Sequence, residues 1–108
     1  FKKEKFVFFI SENNLSGMNH SIQISKDEKF IIQLISLSKN KKVDNSLILN
    51  YFKNNTISLD ASVKRKNKVV DELNRKFLDS FKLVLVLKSV KKSDSRQAVY
   101  SLNPVIDI

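Results

Sequence analysis

The stretch that most constrains this chain is residues 58–102. A basic segment with helical spacing, residues 58–78, runs into an apolar segment, 81–87. A charged turn follows over 88–96, then a second short apolar segment over 98–102. The hydrophobic period changes there from helical to alternating, which predicts a long helix feeding a β-hairpin. Both pieces are cationic. A helix and a hairpin of like charge side by side suit one polyanion, the helix entering a groove while the hairpin reaches the phosphates beside it.

Upstream, the aromatic and β-branched run at 6–10 predicts a buried strand, and Asn13, Asn14 and Gly17 supply turn chemistry. His20, Ile22 and Ile24 alternate with Ser21, Gln23 and Ser25, a half-buried strand over 20–25 with His20 at a packed or edge position. Ser25 and Glu28 have the spacing of a capping box. Phe30, Ile31, Leu34, Ile35 and Leu37 then fall at helical intervals, predicting a helix over 26–39 that Asn40, Lys41 and Lys42 end. Asp44 or Asn45 caps a second helix through Leu47, Ile48, Tyr51 and Phe52, closed by Asn54-Asn55. Ser58 or Asp60 opens the third. Its apolar face holds Leu59, Val63, Val70, Leu73 and Phe77, with Lys66 on that side as a misfit that either snorkels along the helix or marks a later helix start. A strand over 82–88 and its partner over 98–102 make the hairpin, and Pro104 ends the regular structure. The expected fold is α+β: one domain over 1–108 with a small N-terminal antiparallel sheet, three helices and a C-terminal hairpin.

The charge pattern names the candidate site. The chain carries a net charge of +9 and a pI near 9.9, which favours a polyanionic partner. Lys64, Arg65, Lys68 and Arg75 lie on the polar side of the third helix, most of them in its first half. From there they reach guanine edges or phosphates, Arg65 being the expected base reader. Lys91, Lys92 and Arg96 sit in or beside the hairpin turn, where phosphate contacts are within reach. Together they predict double-stranded DNA as the partner. The absence of Cys excludes thiolate chemistry and disulfides, and His20, the one histidine, cannot build a His-rich metal site alone. No nucleophile–base pair and no glycine-rich phosphate loop is visible, so neither an enzyme nor a cofactor is expected. The phenylalanines sit mostly in apolar runs and read as core, against single-strand binding by stacking. No apolar run is long enough to cross a bilayer, and a cytoplasmic location is expected. A start at Phe1, with Met18 the one methionine, reads as the C-terminal part of a longer protein.

Over residues 13–103 the chain resembles the winged-helix effector domain of bacterial response regulators (the OmpR/PhoB type). The matching parts are "IQISKDEKFIIQLISLSKNKKVDNSLILNYF", then "KNKVVDELNRKF", then a hairpin ending "AVYSLN". Ser25-Lys26-Asp27-Glu28 stands where that family has a Thr-x-x-Glu helix start. Val70, Leu73, Lys76 and Phe77 match its Ile-x-x-Leu-Arg-x-Lys-Leu pattern, with Asn74 in place of the Arg. Lys66-Asn67 replaces the family's Val-Asp, and no Gly precedes Tyr100. The turn "KKSDSRQAVYSLN" is also similar to the wing of MarR-type repressors. The resemblance implies a winged helix-turn-helix that serves as the output domain of a transcriptional regulator. The helix at about 58–78 would lie in the major groove and the hairpin at 82–102 on the backbone, with self-association or an upstream regulatory domain as further partners. Asp71 and Glu72 on the polar helix face also fit the alternative, a winged helix used for protein–protein assembly without DNA.

Overall fold

The computed structural model describes residues 5–53, 57–91 and 94–108, leaving aside the side chains of 91 and 94–97. The elements follow in the order β1 (Phe6–Val7), β2 (Phe9–Ser11), β3 (Asn14–Gly17), β4 (His20–Gln23), α1 (Lys26–Leu37), β5 (Lys42–Asp44), α2 (Asn45–Phe52), α3 (Leu59–Phe81), β6 (Val86–Lys91), β7 (Asp94–Leu102) and β8 (Ile106–Asp107). The result is an α+β fold of three helices and three small sheets. Among the described residues no helix is long and apolar enough to cross a membrane.

The run at 6–10 is not one buried strand. It breaks at Phe8, so that β1 pairs in parallel with β8 (Phe6 opposite Ile106) and β2 pairs antiparallel with β3 (Phe9 opposite Ser16). Phe8 alone turns fully inward, its ring centroid 4.9 Å from Phe77 and 4.8 Å from Phe81. Phe6, Val7 and Phe9 stay exposed. The turns also shift. Positive φ falls on Glu12, Met18 and Asn19, while Asn14 and Gly17 lie inside β3. Met18-Asn19 is a two-residue connection between β3 and β4 with both φ positive, as a type I′ turn requires. Gly17 is needed for space instead: a Cβ there would sit 2.7 Å from the Val7 carbonyl oxygen and against the Phe8 ring. His20 is exposed at the end of β4, edge-on to Phe81 at 5.7 Å.

The predicted capping box forms. Ser25 Oγ accepts from the Glu28 amide at 3.1 Å and Glu28 Oε1 accepts from the Ser25 amide at 2.7 Å. α1 ends at Leu37, short of 39, because Asn40 and Lys41 take positive φ in a 3₁₀ turn (Lys39–Lys41) that reverses the chain. That turn delivers β5, a strand too short to show a period in the sequence. Its central Val43 lies opposite Tyr100 on β7, and the sheet order is β5-β7-β6. Asp44 is the N-cap of α2 by backbone alone, without a side-chain cap bond. The expected closure of α2 at Asn54-Asn55 lies outside the described residues.

α3 runs past Leu78 to Phe81 and takes in the first residue of the apolar segment 81–87. Phe81 follows Phe77 by one helical turn, so continuing the helix adds a third ring to the Phe8–Phe77 cluster, with Phe77 and Phe81 4.7 Å apart. Burial of this kind is worth about 1.5–3 kcal/mol per large side chain and outweighs local strand preference. Lys82 then closes the helix in the left-handed conformation, φ 58°, its amide donating to the Leu78 carbonyl at 2.9 Å. The hairpin is displaced accordingly: β6 starts at Val86 rather than 82, and β7 starts at Asp94 rather than 98. Regular structure also resumes after Pro104, as β8. Gly17→Ala is expected to lower stability by about 1–3 kcal/mol through overpacking against Phe8. A thermal melt reads this directly, and an unchanged Tm would mean that the Phe8 ring moves aside freely.

Candidate nucleic-acid interface

Charge is polarised along α3. Residues 59–68 carry four cations, Lys64, Arg65, Lys66 and Lys68, against one acid, Asp60. Residues 69–81 carry two cations, Arg75 and Lys76, against three acids, Asp71, Glu72 and Asp79. The buried stripe changes with it. In the second half the stripe is Val70, Leu73, Phe77 and Phe81, whereas in the first half it is Ser62 and Lys66. Leu59, expected in the apolar face, is exposed, and Val63 is half-buried.

Lys66 does not snorkel. It is 3% exposed, with Nζ donating to Asn45 Oδ1 at 2.6 Å and to Tyr100 Oη at 2.9 Å, and it lies over the Tyr100 ring at 5.1 Å. Desolvation draws its pKa below the ordinary lysine value, and the nearby Asp71 carboxylate opposes that shift. Burial likewise raises the Tyr100 phenol. The ammonium thus joins α3 to the first residue of α2 and to the second hairpin strand. Of this constellation the sequence signalled only Lys66, by its misfit. Asn45 and Tyr100 carried no sign of it.

Asn74, which replaces the arginine of the resembled family, fixes the other side of the hairpin. Its amide donates to the Val86 carbonyl at 3.0 Å and its oxygen accepts the Val86 amide at 2.9 Å. This satisfies the free edge of β6 at its first residue. Between α3 and the hairpin lies an open groove of about 310 Å³, lined by Asn67, Val70, Asp71, Asn74, Val86, Lys88 and Tyr100.

The expected DNA contacts separate into three groups. Lys64 and Lys68 are exposed on the outer face of α3. Arg65 is turned toward α1, its Nη2 3.8 Å from Asp27 Oδ2; Asp27 also accepts from Tyr51 Oη at 2.8 Å, a bond that raises the Tyr51 pKa. Arg75 is held by two acids of its own helix, Glu72 (Nε to Oε2, 3.1 Å) and Asp79 (Nη1 to Oδ2, 3.1 Å). That clamp keeps Glu72 below the usual carboxylate range and Arg75 above its ordinary value. Lys92 lies outside the described residues, as do the side chains of Lys91 and Arg96. Lys88 of β6 is the hairpin cation that lines the groove. On the opposite flank of α3, Lys76 Nζ reaches Glu28 Oε1 at 2.6 Å and the Gln23 carbonyl at 3.0 Å, so the capping glutamate of α1 also anchors α3.

Compared with known protein families, curated proteins and solved structures, the chain matches none.

The depressed pKa of Lys66 has a definite sign. Folding bears the full cost of its burial as a cation below the folded-state pKa, and that cost is relieved as pH rises toward the unfolded value of 10.5. Lys66→Met removes the group. The stability of the native chain relative to Lys66→Met is therefore expected to rise from neutral pH toward 10.5, read by denaturant unfolding of both proteins across that window. A pH-independent difference would mean that the ammonium is not desolvated.

Proposed function

We propose that this chain is a winged-helix domain that binds double-stranded DNA as the output end of a transcriptional regulator. The observation that carries this reading is the exposure of Lys64 and Lys68 on α3 together with a groove between that helix and the hairpin, lined by Asn67 and Asp71 from the helix and Lys88 from β6. Three helices followed by a hairpin that packs back beside the third support the winged-helix arrangement, and β5 completes its sheet. In this reading the first half of α3 enters the major groove with Lys64 and Lys68 exposed, and the hairpin, with Lys91, Lys92 and Arg96 in its sequence, grips the backbone. Arg75, clamped by Glu72 and Asp79, contributes little net charge. A second reading, an assembly module without DNA, is favoured by the exposed Val7, Phe9 and Met18 on the N-terminal sheet. Elution from heparin or random duplex DNA at low salt would select it.

Affinity for random duplex DNA is expected to fall steeply with salt, by about 0.9 log units per log unit of salt for each phosphate neutralised. Lys64→Ala with Lys68→Ala should weaken binding to all sequences about equally and flatten that slope by roughly 0.9 per lost contact. Both side chains are exposed, so the melt should not move. Anisotropy titrations from low to physiological salt test this, and an affinity that does not change with salt would refute the reading.

A further inference from the structure

Lys64, Asn67, Lys68 and Asp71 follow one another at i, i+3, i+4 and i+7, and so form one stripe on α3. Two of them, Asn67 and Asp71, line the groove beside the hairpin, and both side chains are exposed there. Among the described residues neither takes part in a hydrogen bond or an ion pair. Of the other polar groups of the groove, Asn74 holds Val86 and Tyr100 Oη accepts from Lys66, while Lys88 lines the hairpin side. The two acids that follow on the helix differ from Asp71, since Glu72 and Asp79 are both bound to Arg75.

A lone carboxylate within a cationic stripe reduces attraction for every phosphate near it. It also offers what no lysine can, an acceptor for a base amine. In the major groove the cytosine N4 amine is the donor that suits Asp, and an asparagine suits the N6/N7 edge of adenine. Arg65, the side chain expected from the sequence to read a base, faces α1 and Asp27 instead.

We propose that Asp71 is the sequence-reading residue of this interface, accepting a hydrogen bond from a cytosine N4 amine in the major groove, with Asn67 one turn earlier on the neighbouring base pair. This rests on the DNA-binding reading above. Lys64 and Lys68 supply affinity without preference, and Asp71 subtracts affinity wherever no amine meets it. The carboxylate therefore acts in two ways, as an attractive contact on the right base and as a repulsive one everywhere else.

The experiment is selection of the native chain and Asp71→Ala from a pool of randomised duplexes. Titrations follow on the selected duplex and on the same duplex with the indicated C·G pair changed to T·A. The native chain should prefer cytosine at one position by roughly 5- to 150-fold. Asp71→Ala should lose that preference, keep the others, and bind scrambled duplexes more tightly than the native chain at about 50 mM salt. Tighter scrambled binding is the result that a merely structural role through Lys66 would not give, and a thermal melt of each protein accompanies the titrations. The inference is overturned if Asp71→Ala keeps the native preferences, if it weakens all duplexes alike, or if the native chain selects no sequence while still binding DNA. A native chain that binds no duplex at any salt overturns the DNA-binding reading itself, which separates the two failures.

Discussion

The rest of this structure depends on how α3 is held. The helix has 23 residues, a length of about 35 Å, and every other element is arranged around it. Its C-terminal half is held by hydrocarbon: Phe77 and Phe81 meet Phe8 from the N-terminal segment, and Val70 and Leu73 are buried behind them. Its N-terminal half is held by hydrogen bonds, through Lys66 to Asn45 and Tyr100. The apolar half fixes the helix by non-directional burial. The polar half fixes its rotation, because a buried ammonium needs its acceptors in specific directions. A helix anchored in both ways presents one face only to the outside.

That face is set against the hairpin by two contacts of different kinds. Tyr100 on β7 receives Lys66 from within, and Val86 on β6 is paired by Asn74 from the side. The hairpin is thereby registered to α3 at both of its strands, and β5 steadies β7 from the far side through the Val43–Tyr100 pair. Tyr100 takes part in two of these three relations, with Lys66 and with Val43. The β1–β8 pair ties the C-terminal strand to the N-terminal one, and the Lys41–Asp107 ion pair at 3.0 Å ties it to the turn after α1. Lys41 keeps the Asp107 carboxyl below its usual range. As that pair is about half exposed, it is worth little on its own. Of the groove's lining, Asn74 and Tyr100 serve these contacts, and Asn67 and Asp71 are left exposed beside them.

The parts of the fold legible in the sequence were those with a long period or a local chemical rule. The Ser25–Glu28 box, the spacing of α1 and α3 and the alternation of Ile22 and Ile24 all survive in the structure. Illegible were the features decided by distant partners. Phe81 reads as strand by its neighbours and is helix because Phe8 and Phe77 are there to meet it. The 6–10 run reads as one strand and is divided because each half finds a different partner, β8 and β3. β5 has three residues, too few for any period. At the candidate site, charge singled out Lys64 and Lys68 correctly as exposed, but it could not tell them from Arg65 and Arg75, whose acid partners lie on α1 and on the same helix.

The distribution of acids completes the physical picture. Three of the α3 acids follow residue 69, and two of these are spent on Arg75, which turns the second half of the outer face into a nearly neutral surface. Along α3 the exposed positive charge is thus concentrated in the first half, at Lys64 and Lys68. A uniformly basic helix would attract a polyanion along its whole length and let it slide. In the DNA-binding reading proposed above, that concentration would set where a phosphate chain is drawn, and the groove between α3 and β6 lies at the edge of that region. Asp71, which among the described residues has no ion pair, stands at the boundary between the two halves, so in the proposed reading a polyanion drawn to Lys64 and Lys68 would meet it. On the proposed interface, the chemistry that distinguishes one partner from another is the chemistry that satisfies that carboxylate.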